Sequence, residues 1–88
     1  MRRFIGEAVE VGFAEGSPYP AWIEWRGQRL AVSEVLSDSR EVDFHSRWWQ
    51  RRHRRRLVIR LDDGRVMEIH GRRPGSWTLY QELDDPLA

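Results

Sequence analysis

The segment 47–56 concentrates the side chains of this chain that are best suited to binding a charged partner. It reads Arg-Trp-Trp-Gln-Arg-Arg-His-Arg-Arg-Arg and holds six arginines, two tryptophans and no acid. Guanidinium groups attract phosphates and carboxylates, and indole rings stack on bases or fill pockets in a partner protein. This Trp/Arg segment therefore predicts the binding of an acidic macromolecule.

The charges of the remaining chain strengthen this prediction. All 15 positive residues are arginines, against 14 Asp and Glu. The Trp/Arg segment carries six of the positives, which leaves nine against 14 negatives elsewhere. We expect a polyanion to be attracted to the segment and repelled by the rest of the surface. Because the absence of lysine is typical of a GC-rich genome, the position of the arginines is informative and their identity is not.

Eight residues are candidates for contacting a partner. Trp22 is among them because it lies on the strand face opposite Ile23, where a large aromatic ring is exposed unless a loop covers it. The candidates are Arg47, Trp48, Trp49, Arg51, Arg52, Arg54, Arg55 and Trp22.

Three roles fit these residues. The first is an accessory module that engages an acidic protein or a second copy of the chain, since Arg and Trp are enriched at interface hot spots. The second is weak binding of single-stranded nucleic acid with little base preference. The third is structural, with Trp48 and Trp49 closing the core beside solvated arginines.

Catalytic and metal-binding patterns are not evident. The chain has no cysteine, and Asp43 and the three histidines lack the spacing of a metal site, so we expect neither metal nor cofactor. The acidic pairs Asp62-Asp63 and Asp84-Asp85 are typical of turns, and no serine lies in a glycine-flanked elbow. The sequence therefore predicts a protein that is not an enzyme.

The length of 88 residues leaves room for one domain, which we expect to span residues 1–88. Glu7 precedes any apolar run long enough for secretion or membrane insertion, so we expect a cytoplasmic protein without membrane contact. Within the domain, a strand is predicted to end near Leu36 and to lead into a basic Trp/Arg excursion at about 37–55. Residues 37–46 fit a strand, a helix or a loop.

Short alternating apolar runs, separated by turn residues, predict an all-β fold. We expect five to six antiparallel strands in a meander that forms a small barrel or a strongly bent sheet. If the first and last strands do not pair, the exposed edge strand favours a homodimer. The predicted core consists of Val9, Val11, Ile23, Trp25, Leu30, Val32, Leu57, Ile59, Leu61, Met67, Ile69, Trp77 and Leu79.

The apolar pattern also determines the register of two hairpins. A turn at Arg26-Gly27 places Ile23 opposite Leu30, which pairs apolar with apolar residues. A three-residue loop with Gly64 in the left-handed conformation places Ile59 opposite Met67, because the two-residue alternative would turn the apolar set toward solvent.

Several short motifs together resemble a known family. They are residues 4–11, Trp25-Arg26-Gly27-Gln28-Arg29, Val32 with Glu34, Val35 and Leu36, Trp48-Trp49, Met67-Glu68-Ile69 and Trp77-Thr78-Leu79-Tyr80. The chain is similar to domain of unknown function 6504, small bacterial domains that occur alone or near the C-terminus of proteins similar to Y-family translesion DNA polymerases. The resemblance implies an accessory or recognition module in a DNA-repair context, without catalytic residues to carry over.

Overall fold

The computed structural model of the chain describes residues 3–42, 53–73 and 75–84. The regular elements in these ranges are six strands: β1 (Arg3–Phe13), β2 (Pro20–Trp25), β3 (Gln28–Val42), β4 (His53–Leu61), β5 (Val66–Arg73) and β6 (Ser76–Leu83). Each strand pairs antiparallel with the next, and β1 pairs with β6, so the sheet closes into a barrel. The predicted all-β meander of five to six strands is confirmed, in its barrel form.

The barrel interior is filled by the predicted core. Ten of its residues are buried, and the other three, Val11, Leu30 and Val32, are partly buried and pack against them. Val66 is also buried, at 1% exposure, although sequence reasoning did not include it. Since side chains alternate along a strand, Val66 lies on the face opposite the fully buried Met67, where the pattern gave no reason to expect burial.

Both predicted hairpin registers are confirmed. Ile23 lies opposite Leu30, and Arg26 and Gly27 have φ angles of 52° and 76°, as a two-residue turn between twisted strands requires. Ile59 lies opposite Met67, and Gly64 has a φ of 93°. Apolar alternation alone was enough to set these registers, because a slip by one residue would expose the core.

The predicted end of the third strand was wrong. β3 does not end near Leu36 but continues to Val42, and β4 begins at His53. Two register shifts in β3 absorb extra residues and allow pairing with β4 to continue through Ser37-Asp38-Ser39. The long strand partner overrides the low strand propensity of this polar cluster. Residues 43–52 of the predicted excursion lie outside the described residues.

Closure changes the edge argument for a homodimer. The condition set for that prediction, an unpaired first and last strand, is not met, because β1 pairs with both β2 and β6. β3 pairs with β2 only over residues 28–31, and beyond Ala31 that edge has no strand partner among the described residues. Register shifts and the exposed acids Glu34 and Asp38 protect such an edge from another chain. The homodimer stays a prediction.

Candidate binding surface at the basic end of the barrel

The strand order assigns the connections between strands to the two ends of the barrel. In an antiparallel meander, the connections β1–β2, β3–β4 and β5–β6 lie at the same end, and β2–β3 and β4–β5 lie at the other. We call the first the basic end, because the Trp/Arg segment belongs to the β3–β4 connection and the start of β4. The second, with its turns at Arg26-Gly27 and residues 62–65, is the turn end.

The described residues include part of the predicted site. The side chains of Arg55 and Trp22 are described, and Arg54 is described by its backbone, which pairs with Glu41. The remaining candidates lie outside the described residues: Arg47, Trp48, Trp49, Arg51 and Arg52.

Arg55 forms a paired ion contact with Asp38 across the β3–β4 hairpin. Its Nε donates to Asp38 Oδ1 and its Nη2 donates to Asp38 Oδ2, both at 3.1 Å. The same guanidinium lies 5.8 Å from the centre of the Tyr19 ring, within the range of about 6 Å for cation–π attraction. The Arg55 side chain is only 19% exposed, so it is held in a defined position beside an aromatic ring.

Two exposed aromatic rings lie at this end. Tyr19 is 44% exposed and Phe13 is 42% exposed. The loop that carries Tyr19 is ordered by its own hydrogen bonds, because the Tyr19 backbone N–H donates to Ser17 Oγ and the Ser17 N–H donates to the carbonyl oxygen of Ala14. The Phe13 ring lies 6.0 Å from that of buried Trp77. The basic end thus presents apolar rings on a fixed support.

Sequence reasoning missed Phe13 and Tyr19 as candidates. Strand alternation would place Phe13 on the core face with Val9 and Val11, but the register shifts between Gly12 and Phe13, and Phe13, paired with Pro20, is 42% exposed. Tyr19 lies between two prolines in a loop, where no periodicity exists. The two prolines beside an aromatic residue were the available signal for a rigid, exposed ring.

Trp22 is less accessible than a ring on the solvent face would be. It lies opposite Gly12 in register, and its ring covers this glycine so closely that an added Cβ would overlap it. The Arg29 guanidinium lies 3.9 Å from the centre of the Trp22 ring. Trp22 is half-buried between strands, and it covers the barrel wall beside Arg29.

A second aromatic group lies on the outer wall. His70 Nε2 is 2.9 Å from Glu68 Oε2, and the His70 ring stacks on Tyr80 with ring centres 4.6 Å apart. Tyr80 meets Phe4 edge-on at 5.2 Å, which links β5, β6 and β1. His70 also lies opposite Arg56 in register. Across the described ranges, no three His, Asp or Glu residues are grouped as metal ligands.

The turn end uses an arginine–carboxylate pair as well. Arg26 Nε donates to Glu7 Oε1 at 3.1 Å, and the indole Nε1 of Trp25 donates to the same oxygen at 3.3 Å. The hydrogen bond from Arg26 holds the pKa of Glu7 below its ordinary value of 4.5, against the opposing effect of desolvation. Trp25 is buried at 7% exposure, so this pair lies against a core residue.

The family model described as "Domain of unknown function (DUF6504)" matches residues 1–84. The chain belongs to this family. The expected family resemblance is thereby confirmed, over nearly the whole length of the chain. No curated protein and no solved structure matches this DUF6504 domain. In residues 3–42, 53–73 and 75–84, no helix is long and apolar enough to cross a membrane.

Proposed function

We propose that this domain is a non-enzymatic binding module that engages an acidic protein partner through its basic end. The observation that carries the proposal is the arrangement of Arg55, which holds a carboxylate in a two-bond contact beside the exposed Tyr19 ring. Paired hydrogen bonds from arginine to carboxylate are strong and directional. A partner's Asp or Glu would be recognised in the same manner.

The distribution of charge supports an acidic partner. The Trp/Arg segment of the sequence holds six of the 15 positive charges and no acid, whereas the other residues carry nine positive charges against 14 negative ones. A cluster of one sign raises the association rate of the opposite sign and orients its approach. The partner would therefore meet the basic end first.

The aromatic rings supply the apolar part of the interface. Tyr and Arg are among the residues that dominate interface hot spots, and Phe is enriched at interfaces as well. Phe13 is supported from beneath by Trp77, and Tyr19 by its hydrogen-bonded loop, so neither ring loses much freedom on binding. Rings held in advance reduce the entropic cost of association.

Single-stranded nucleic acid is the second candidate. The exposed Phe13 and Tyr19 rings, with Arg55 beside Tyr19, also suit single strands, whose bases stack on rings while their phosphates lie near guanidinium groups. The resemblance to domains attached to translesion polymerases favours this ligand, or a protein partner from DNA repair, in the cytoplasm.

Fluorescence anisotropy with two labelled probes tests the proposal. A peptide rich in Asp and Glu and a single-stranded oligonucleotide are titrated at low salt with the full chain. The test variant replaces Arg51, Arg52 and Arg54 with Gln and keeps the Arg55–Asp38 pair intact. A charge-matched control replaces three other exposed arginines with Gln, namely Arg3, Arg26 and Arg29. We expect the peptide to bind the parent and the control, and to lose most of its affinity for the test variant.

The two candidates are distinguished by the probe that binds and by the effect of salt. Binding of the oligonucleotide alone, with a log–log salt slope of about −2 for three neutralised phosphates, supports the nucleic-acid alternative. Equal loss in test variant and control contradicts a site at the basic end. Absence of binding by both probes at tens of micromolar protein contradicts the binding module.

A further inference from the structure

We infer that Arg55 and Tyr19 form a carboxylate-binding site whose internal occupant is Asp38, and that an acidic side chain of the partner replaces Asp38 there. The inference rests on the proposed function and adds to it a specific site, a ligand group and a competing group of the chain itself. It assigns to Asp38 the role of lowering the affinity of any partner carboxylate for this site.

The geometry of the pair fits such a site. Both oxygens of Asp38 accept hydrogen bonds from Arg55, one from Nε and one from Nη2. This side-on contact is a frequent arrangement between arginine and a carboxylate, whether the carboxylate belongs to the chain or to a ligand. Asp38 therefore shows how a ligand carboxylate would be held.

The surroundings make exchange feasible. The Asp38 side chain is 27% exposed, and the adjacent Tyr19 is 44% exposed, so water and a ligand reach the pair from the surface. Arg55 is 19% exposed, and the strand pairing of β4 fixes its backbone on both sides. An arriving carboxylate meets a guanidinium that is already oriented and partly desolvated.

Two other arginine–carboxylate pairs show what distinguishes this one. Glu7 likewise accepts two hydrogen bonds from Arg26, from Nε and Nη2, but it also accepts the Trp25 indole N–H, which ties the carboxylate to the core. Glu34 meets Arg60 through a single contact of 2.8 Å between Oε2 and Nη1, on the same hairpin as Asp38. The Asp38 pair combines two hydrogen bonds with an exposed ring, which a ligand could also contact.

The effect of displacement is expected to be modest. An internal ion pair that must be broken before the ligand binds reduces the apparent affinity by the strength of that pair. Exposed pairs are weak, so replacing Asp38 should tighten peptide binding by about two- to fivefold. The same cost applies to every ligand whose carboxylate enters this site, so Asp38 sets a fixed threshold for binding there.

Asp38→Asn is the test variant, and Glu34→Gln is its matched control. Both substitutions remove one negative charge from β3 and one partner from a β4 arginine, so general electrostatic effects cancel between them. The labelled acidic peptide is titrated into the parent, the two variants and Asp38→Asn combined with Arg55→Lys. We expect D38N to bind about two- to fivefold more tightly than E34Q, and the combined variant to lose that gain.

A resonance of Arg55 gives a second readout that needs no variant at position 38. In the parent protein, the Nε–H signal of Arg55 should shift on addition of the peptide, because its acceptor changes from Asp38 to the ligand. If D38N does not fold, D38S replaces it in the titration, and the Arg55 Nε–H signal of the parent protein still tests the inference. Thermal unfolding of each variant confirms that affinities are compared between folded proteins.

The outcomes separate this inference from the proposed function. If parent, D38N and E34Q bind the peptide equally, or D38N binds more weakly, the inference is wrong and the binding module stands. If the Arg55 signal is unmoved by a peptide that binds, the inference is also wrong. If the parent and all variants fail to bind, the proposed function itself fails.

Discussion

The two ends of the barrel contain the same three groups in different environments. At the turn end, Arg26 is bonded to Glu7 and lies 4.6 Å from the ring of Trp25, which is buried. At the basic end, Arg55 is bonded to Asp38 and lies 5.8 Å from the ring of Tyr19, which is exposed. The comparison shows that the same three groups help to close the barrel where the ring is buried, and form part of an accessible surface where the ring is exposed.

The length of the connections explains the difference. The turn end is closed by the Arg26-Gly27 turn and by residues 62–65, and these short connections hold Arg26 and Glu7 next to the buried Trp25. At the basic end, β1 and β2 are separated by residues 14–19, and β3 and β4 by residues 43–52. Longer connections remove side chains from the core and make them available to a partner.

The largest expected difference concerns stability. Trp25→Ala removes a buried ring and its hydrogen bond to Glu7, and should lower the free energy of unfolding by about 3–5 kcal/mol. Tyr19→Ala removes a half-exposed loop ring and should cost less than about 1 kcal/mol. Urea denaturation of both variants measures this contrast, and equal losses would show that the basic end is part of the core.

A smaller change is expected where the wall meets the basic end. Gly12→Ala places a methyl group against the Trp22 ring, so the indole must move, at a cost of about 1–3 kcal/mol. Gly16→Ala has open space around it but a φ of 75°, and should cost about 1–2 kcal/mol through backbone strain alone. Because only Gly12→Ala displaces the indole, the tryptophan fluorescence spectrum should change in that variant and stay constant in Gly16→Ala.

The binding of an acidic partner should depend on the exposed rings. Tyr19→Ala and Phe13→Ala are each expected to make the free energy of binding the acidic peptide less favourable by about 1–2 kcal/mol, as for residues at an interface hot spot. Phe4→Ala, which removes an exposed ring from the outer wall, is the matched control and should leave affinity unchanged. Calorimetric titration measures the affinity of all three variants for the peptide. Loss of affinity in Phe4→Ala alone would show that the peptide binds the outer wall and not the basic end.

The turn end should also respond to acid. Because the pKa of Glu7 is lower in the folded chain than its ordinary 4.5, ionised Glu7 stabilises the fold above that pH. The stabilisation is lost as the pH falls through the folded pKa, when Glu7 takes up a proton. The melting temperature of Glu7→Gln should therefore lie below that of the parent at pH 7, and the gap should narrow toward pH 3. The difference in melting temperature between Arg26→Gln and the parent should narrow toward pH 3 in the same way. A difference that is independent of pH would contradict the role of the ion pair.

The smallest effect is expected for the control pair on the β3–β4 hairpin. Glu34→Gln removes one contact with Arg60 from a side chain that is 54% exposed, and should change the free energy of unfolding by less than about 1 kcal/mol. A larger loss, measured by urea denaturation, would mean that the hairpin depends on this pair and that E34Q is unsuitable as a matched control for D38N.

The sequence was sufficient for the barrel and insufficient for the site. Apolar alternation identified the core and the registers at Ile23 and Ile59, since burial penalises every one-residue slip. It did not predict β3 beyond Leu36, because pairing with a distant strand overrides the local Ser-Asp-Ser signal. The Arg55–Asp38 pair joins residues 17 positions apart. A third strand that ends near Leu36 does not include Asp38, so the predicted strands could not place it beside Arg55.

Chemical-shift mapping tests the central claim, that the basic end and not the turn end binds an acidic partner, most directly. A ¹⁵N-labelled sample of the full chain is titrated with the acidic peptide, and amide, indole and guanidinium signals are followed. We expect shifts at Phe13, Tyr19 and Arg55, with the Trp25 indole N–H and the Glu7 amide unmoved. Shifts centred on Glu7 and Trp25, with Tyr19 and Arg55 unchanged, would contradict it.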